Sequence, residues 1–208
     1  MVLCGAMTTP PFSDASLRNR EPILSVLAPY LNRAMTVLEI GGGQGGHAVY
    51  FAQQLPHVHW QTSEQPAHLA QLFNNLEAAA LPNLPPPLAL DVSSGPWPLS
   101  AADAVFSANT AHIMDWPAVQ AMFHGVAELL PGGARFFLYG PFIRSGRYSG
   151  DNDARFDAAL RGRGTGSGLR DLDDMEALAR AVDLYLEEAV PMPANNLTLI
   201  WRKLPAPA

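Results

Sequence analysis

The sequence predicts an α/β fold in which a mostly parallel sheet carries helices on both faces. Short apolar runs alternate with segments of helical spacing along most of the chain. A cluster of glycines follows the first apolar run, and two apolar runs close the chain without a helix between them. Strands joined by helices form crossover units with parallel strands, and the helices cover the sheet. We therefore expect five such units and a final pair of strands.

The first half of the chain contains three predicted strand–helix units. The first helix has apolar residues at helical spacing and Pro22 in its first turn, where a missing amide hydrogen is tolerated. Glycines end the first strand, Pro56 ends the second helix, and the third helix is rich in Leu and Ala. The predicted elements are helices at 17–31, 44–55 and 66–80 and strands at 36–40, 58–62 and 88–92.

The second half changes character after its fifth strand. The helix before that strand is closed by Pro131, Gly132 and Gly133, residues that stop helices. The segment 140–168 is rich in Gly, Arg and Asp and contains one short predicted helix. The predicted elements are strands at 104–107, 134–139, 184–190 and 197–202 and helices at 116–130, 154–160 and 172–182.

Length, charge and cysteine content restrict the class of protein. The 208 residues suit one domain, which we expect at 16–208 behind a flexible tail at 1–15. A net charge of −6 argues against nucleic acid as a partner. The single cysteine, Cys4, excludes a disulfide framework, and no apolar run reaches the roughly 18–20 residues of a membrane span. We expect a soluble, cytoplasmic protein without a metal site, and the oligomeric state stays open, a homodimer included.

The strongest local pattern joins the first predicted strand to the helix behind it. It reads Val-Leu-Glu-Ile-Gly-Gly-Gly-Gln-Gly-Gly-His from residue 37 to residue 47. Glycine lets the backbone turn tightly and approach a nucleotide closely. Ligands of open α/β sheets bind at the carboxyl ends of the strands. The pattern therefore indicates a nucleotide-like ligand at this loop.

Two classes of ligand fit the glycine spacing. Gly41, Gly43 and Gly46 match the loop that binds dinucleotides such as NAD, a pattern that is weak by itself. Glu39 followed by Gly41, Gly43 and Gly45 matches the acidic loop that binds S-adenosylmethionine (SAM). A carboxylate repels a pyrophosphate but attracts the ammonium and sulfonium groups of SAM. We therefore predict that Glu39, Gly41, Gly43 and Gly45 bind SAM.

Acidic residues after the next two predicted strands extend this prediction. Glu64 lies beyond the loop at a separation similar to the about 20 residues typical of an acid that binds ribose hydroxyls. Asp91 ends the third predicted strand, where its carboxylate can accept a hydrogen bond from the adenine amino group while Val92 contacts the ring. The alternatives are a solvated loop acid for Glu64 and a turn-capping acid for Asp91.

Segments spread over most of the chain resemble one family. Residues 38–47 and 60–64 are similar to the first two cofactor motifs of class I SAM-dependent methyltransferases. Further segments resemble an uncharacterised methyltransferase-like family, a domain of unknown function: 18–24, 108–113, 138–142, 168–172 and 192–197. The resemblance implies a Rossmann-like sheet of seven strands with the last strand antiparallel, SAM as cofactor, and an insertion at about 140–170 that forms a lid over the substrate.

Residues for the methyl acceptor should lie above strands one, four and five. Asn109 follows the fourth predicted strand and can donate and accept hydrogen bonds to cofactor or acceptor. His112 is predicted to act as a base with a pKa near working pH, and Tyr139, which ends the fifth strand, to orient the acceptor. Arg20 is expected to bind the cofactor from a lid formed by the first helix. The alternatives are packing or capping for His112 and Tyr139 and a surface ion pair for Arg20.

Arginines are concentrated after the fifth predicted strand. One or two of them are candidates for clamping an acidic acceptor, and the alternative is a solvated segment balanced by nearby acids. The six are Arg144, Arg147, Arg155, Arg161, Arg163 and Arg170.

These features together predict a SAM-dependent methyltransferase that acts on a small molecule. Methyl transfer from a sulfonium is an in-line displacement, so the protein mainly has to position the two reactants. One alternative is a protein that binds SAM as a sensor or scaffold without turnover. The other is an NAD-dependent oxidoreductase that uses the same loop.

Overall fold

Six helices and eight strands alternate through residues 12–205, the part of the chain that this computed structural model describes. The helices are α1 (Asp14–Leu27), α2 (Gly46–Gln54), α3 (Leu69–Ala79), α4 (Trp116–Leu129), α5 (Asp151–Arg161) and α6 (Leu172–Ala181). The strands are β1 (Met35–Ile40), β2 (Val58–Glu64), β3 (Leu88–Ala89), β4 (Ala104–Ala108), β5 (Arg135–Ile143), β6 (Arg170–Asp171), β7 (Leu184–Pro191) and β8 (Asn196–Lys203).

The strands form one sheet in the order β3-β2-β1-β4-β5-β8-β7, and the short β6 pairs with the end of β5 outside that path. The pairs from β3 to β5 are parallel, whereas β8 runs antiparallel to both β5 and β7. Seven strands thus form the main path and the last strand is antiparallel, which confirms the predicted fold. Because β2 and β4 lie on opposite sides of β1, a crevice opens at the carboxyl end of β1.

Apolar side chains are buried on both faces of the sheet. Phe123, Phe136 and Trp201 belong to a cluster on the face covered by α4 and α6. Phe51 and Trp60 belong to a second cluster on the face covered by α1, α2 and α3. Strands buried on both faces read as continuous apolar runs rather than alternating ones, which explains why the sequence pattern located them.

The start of the first helix differs from the prediction. It begins at Asp14 instead of residue 17, because Ser13 caps it: the Ser13 Oγ accepts a hydrogen bond from the Ser16 amide at 3.2 Å. Residues 12–15 of the predicted tail are therefore part of the folded domain. The rest of that tail lies outside the described residues.

Two predicted strand ends are also wrong. β3 stops at Ala89 rather than at residue 92, because the Asp91 carboxylate accepts a hydrogen bond from the Ser93 amide at 2.9 Å and forms a turn. β5 continues to Ile143 rather than stopping at residue 139, because β8 and then β6 pair with its extension. The predicted lid segment, 140–170, therefore begins inside the sheet, and α5 is its helical part.

Residues 12–205 contain neither a membrane-spanning helix nor a cluster of metal-binding side chains. Within residues 12–205 no helix combines the length and the apolarity needed to cross a bilayer. Nor do three His, Cys, Asp or Glu side chains of this part come together as a metal-binding group. Cys4 lies outside the described residues.

Candidate functional site

The glycine loop between β1 and α2 turns through three left-handed residues. Gly41, Gly43 and Gly45 have φ angles of +71°, +58° and +86°, a region that strains side-chain-bearing residues. A Cβ atom on Gly41 would also lie 2.6 Å from Cγ2 of Thr110. The loop therefore depends on glycine for its conformation and for its close approach to the end of β4.

The side chain of Glu64, the last residue of β2, contacts the backbone of this loop. Its Oε2 accepts a hydrogen bond from the Gly43 amide at 2.8 Å, and its Oε1 accepts one from the Gln65 amide at 2.8 Å. Each carboxylate oxygen keeps a second lone pair. Glu64 can therefore still accept hydrogen bonds from a ligand while it places a negative charge on the loop backbone.

A cavity of about 340 Å³ opens at the carboxyl ends of β1, β2 and β4. The structure brings five of the predicted cofactor residues together in its walls: Gly41, Gly43, Glu64, Val92 and Asn109. Apolar residues that the sequence analysis did not single out complete it, among them Leu90, Ile113 and Met114. Their side-chain types are those of any core residue, so the sequence carried no signal for their role.

A second cavity, of about 350 Å³, adjoins the first. It extends from the glycine loop to His47 on α2, His112 after β4, and Phe156 on α5. The beginning of α1 forms another part of its wall through Ser13 and Ser16. The two cavities share Gly41, Gly43, Ala108, Asn109 and Ile113.

Asn109 lies where the two cavities meet. Its φ of +58° is left-handed, a conformation that asparagine tolerates better than most residues and that is often found at functional sites. Its amide donates a hydrogen bond to the Tyr139 carbonyl at 2.9 Å. This bond fixes the turn after β4 and leaves the Asn109 side chain in the walls of both cavities.

Glu39 lies in β1 beneath the glycine loop and lines neither cavity. It is 1% exposed, and its Oε2 accepts a hydrogen bond from the Trp60 Nε1 at 2.8 Å. Burial raises its pKa to about 7, with a further increase from the Glu64 charge, although the Trp60 bond acts to lower it. The carboxyl is therefore poorly stabilised as an anion by the protein alone, and its contact with SAM stays a prediction.

His112 is neutral at physiological pH, in contrast to the pKa near working pH that we predicted. Its side chain is 5% exposed, and burial together with the positive charge of Arg170 lowers its pKa to about 4. Its ring lies 5.5 Å from the Phe156 ring in an edge-on arrangement. His112 can accept a proton or a hydrogen bond in this state, but it is a weaker base than expected.

Tyr139 lines neither cavity, unlike the position expected for a residue that orients the acceptor. It is buried on the face covered by α1 and α2, where burial raises its pKa while a hydrogen bond with Asn19 acts to lower it. The Oδ1 of Asn19 also lies 2.7 Å from Nε2 of His47. Asn19 thus joins α1, α2 and β5, and the role of Tyr139 toward the acceptor stays a prediction.

Besides Glu39, three predicted cofactor residues line neither cavity, namely Gly45, Asp91 and Arg20. The Asp91 carboxylate caps the turn after β3, which is the alternative stated for it. The Arg20 guanidinium lies 4.6 Å from the centre of the Tyr50 ring, a cation–π contact between α1 and α2. The contacts of all three with SAM therefore remain predictions.

The arginines after β5 line neither of the two cavities. Arg161 forms an ion pair with Asp157, with 2.8 Å between Nε and Oδ2. Arg170 is buried and donates hydrogen bonds to the carbonyl oxygens of Ala111, at 2.9 Å, and Gly166, at 3.0 Å, and to that of Met114. The arrangement gives no support to an arginine clamp for an acidic acceptor.

Solved structures of methyltransferases share this fold. An O-methyltransferase family protein from Burkholderia thailandensis is 17% identical, with a TM-score of 0.77 over 93% of this chain and 59% of that one. The SAM-dependent methyltransferase SibL is 19% identical, with a TM-score of 0.75 over 91% and 56%. An O-methyltransferase family 2 protein from Planctomyces limnophilus, solved in complex with apigenin, is 19% identical, with a TM-score of 0.72 over 91% and 65%.

These similarities are similarities of fold, since all three identities are low, and this chain spans only 56% to 65% of the length of those proteins. A family model gives a match at the level of sequence. The model described as "Protein of unknown function (DUF938)" covers residues 10–203, nearly the whole chain. The chain therefore belongs to the DUF938 family and has the fold of the class I methyltransferases.

Proposed function

We propose that this protein is a SAM-dependent methyltransferase whose acceptor is a small molecule. The methyltransferase fold, the left-handed glycine loop and the acid that closes over it support the proposal. Two adjoining cavities of similar size meet at Asn109. The first suits a nucleoside, and the second suits the remainder of the cofactor together with an acceptor.

The observation that carries the proposal is the hydrogen bond from the Gly43 amide to Glu64. In a dinucleotide-binding loop, backbone amides of this kind face a pyrophosphate. Here a carboxylate oxygen lies 2.8 Å from the Gly43 nitrogen. Two like unit charges 4 Å apart repel by about 4 kcal/mol at an effective dielectric constant of 20. A phosphate group at the Gly43 amide would meet this repulsion, which supports a ligand without phosphate at that point. An acid that binds the ribose is also found in NAD sites, so Glu64 separates the two ligands only through its bond to the loop.

The walls of the first cavity fit the nucleoside of SAM. Glu64 has lone pairs available for the two ribose hydroxyls. Val92, Leu90 and Met114 offer an apolar surface for the adenine ring. Ligand pockets are typically apolar with a few well-placed polar groups, and this cavity has that character.

The region beneath the loop fits a cationic group. Thr62 is the register partner of Glu39 on the same face of the sheet, and its buried hydroxyl has no hydrogen-bond partner within residues 12–205. A buried polar atom of this kind normally has a partner. A cation nearby would favour the ionised form of Glu39 and lower its pKa. We therefore assign the ammonium end of SAM to this side of the loop.

When bound, SAM supplies a methyl group whose carbon a nucleophile can attack, with the sulfur as the leaving group. The residues of the second cavity hold the nucleophile. Asn109 can donate and accept hydrogen bonds at the junction of the cavities. The neutral His112 can accept a hydrogen bond or a proton from an acceptor hydroxyl. The protein contributes mainly the relative position of the two reactants.

Calorimetric titration with SAM and with NAD tests the proposal. We expect binding of SAM and none of NAD, and SAM at a hundred times its Kd should raise the unfolding free energy by about 2.7 kcal/mol. Glu64→Gln keeps an acceptor for the Gly43 amide but removes the charge, so it should weaken SAM binding about tenfold. Tighter binding of NAD than of SAM would contradict the proposal.

A separate measurement distinguishes turnover from binding alone. The protein is incubated with SAM and a small-molecule extract, and S-adenosylhomocysteine is quantified by mass spectrometry. We expect the product to accumulate with protein and not with heat-inactivated protein. Tight SAM binding without any product across many extracts would instead favour a sensor or scaffold.

A further inference from the structure

Among residues 12–205, no charged side chain lines the acceptor end of the second cavity. Asn109, His112, Ile113 and Phe156 form this end, and the residues known to line the cavity as a whole include no Asp, Glu, Lys or Arg. Because His112 is neutral, the polar groups present can exchange hydrogen bonds but offer no opposite charge. A charged acceptor would lose its hydration there without gaining an ionic partner.

The mouth of this end is formed by large apolar side chains that remain exposed. Ile113 is 48% exposed and Phe156 is 40% exposed. The Phe156 ring also lies edge-on against His112, so its position is fixed from one side. Exposed apolar side chains that border a cavity mark a binding surface. Aromatic rings favour edge-to-face or offset contacts with other rings.

Arg170 lies near His112 but is not part of the wall of the second cavity. Arg170 is close enough to lower the pKa of His112, and its positive charge disfavours an ammonium group at this end. Its guanidinium already donates to the carbonyl oxygens of Ala111 and Gly166 and to that of Met114. Three of its five N–H donors are thus held by backbone carbonyls, and Arg170 does not line the second cavity, so it offers no contact to a carboxylate there.

We infer that the acceptor is an uncharged aromatic alcohol and that Phe156 is the residue that selects it. The inference rests on the proposed function, because it assigns the acceptor of that same site. The acceptor ring packs between Phe156 and Ile113, and its hydroxyl reaches Asn109 or His112. The hydroxyl oxygen forms a bond to the methyl carbon while the carbon–sulfur bond breaks. The electron pair of that bond stays on sulfur, and the hydroxyl proton passes to His112 or to water.

Binding of matched probes to the protein saturated with S-adenosylhomocysteine tests the inference. The probes are phenol, catechol and 2-naphthol, each compared at pH 7 with a carboxylated and an aminomethyl counterpart by ligand-observed NMR titration. We expect at least one uncharged member to bind about tenfold more tightly than its charged counterparts. Phe156→Ala should weaken that binding about tenfold, whereas Phe156→Leu should retain most of it.

Phe73 provides a matched control, because it is a phenylalanine of the same 40% exposure on α3, away from both cavities. Phe73→Ala should leave unchanged both probe binding and the affinity for S-adenosylhomocysteine. If S-adenosylhomocysteine itself fails to bind, the proposed function fails. If it binds but the charged probes bind equally well, no probe binds, or Phe156→Ala matches Phe73→Ala, the inference on the acceptor is overturned.

Discussion

Replacement of Glu39 by glutamine should stabilise the ligand-free protein, and the gain should depend on pH. Burial raises the pKa of Glu39 from 4.5 to about 7. The folded protein therefore binds this proton more tightly than the unfolded chain does. By linkage, the resulting loss of stability is absent below pH 4.5, grows as the pH rises through the interval to about 7, and is complete above it.

The magnitude follows from the two pKa values. Each pKa unit corresponds to about 1.4 kcal/mol, so the ionised Glu39 costs the fold about 3 kcal/mol at alkaline pH. Glutamine cannot ionise, and its side-chain oxygen can still accept the hydrogen bond from Trp60. The stabilisation of Glu39→Gln relative to the unmodified protein should therefore be about 2.5 kcal/mol larger at pH 8 than at pH 5. At this chain length that is about 5–10 °C in Tm.

Urea denaturation at pH 5 and pH 8, followed by circular dichroism, measures the difference. Glu77→Gln on the exposed surface of α3 is the matched control, because the same substitution there removes no buried carboxylate. Its effect should be small at both pH values. An effect of Glu39→Gln that is equal at pH 5 and pH 8, or a larger destabilisation at pH 8, would refute the reasoning. The same variant should bind SAM more weakly if Glu39 neutralises the ammonium group.

Three further predictions follow from individual contacts. Gly41→Ala should destabilise the fold by at least about 1 kcal/mol in urea denaturation, because its φ is +71° and a Cβ has no room there; an unchanged midpoint would contradict this. His112→Ala should leave the calorimetric affinity for SAM unchanged and lower kcat about a hundredfold; equal turnover rejects the role as a base. Burial acts to raise the pKa of Asp157, but three hydrogen-bond donors lower it below its ordinary value. The ionised Asp157 therefore stabilises the fold above its unfolded-state pKa, and this stabilisation is lost as the pH falls through the folded-state pKa. Asp157→Asn should therefore cost about 1–3 kcal/mol at pH 7 and clearly less at pH 3, and a pH-independent cost would argue against the ion pair as its cause.

The order of the elements could be predicted from the sequence because each one has a local cause. Apolar runs mark strands that are buried on both faces, and Pro131 with the two following glycines marks a helix end. Two of the three boundaries that failed depended on single side chains, and the third, the end of β5, depended on pairing with β8 and β6. Ser13 starts α1 early by capping it, and Asp91 ends β3 early by forming a turn. The type of an element is set by many residues, whereas its ends are set by one or two hydrogen bonds.

The sequence by itself determined the order of helices and strands in an α/β protein, the glycine loop, and Glu64 as the acid after the second strand. Only the tertiary structure decided which side chains face the cavities. Glu39 and Tyr139 point to the face packed by α1 and α2, because side chains alternate along a strand and the neighbouring strands bury that face. The environment of His112 likewise depends on Phe156 and Arg170, which are distant along the chain and meet it only through packing. Contacts of this kind have no local pattern, so the chemistry of the acceptor end could be assigned only once the chain was folded.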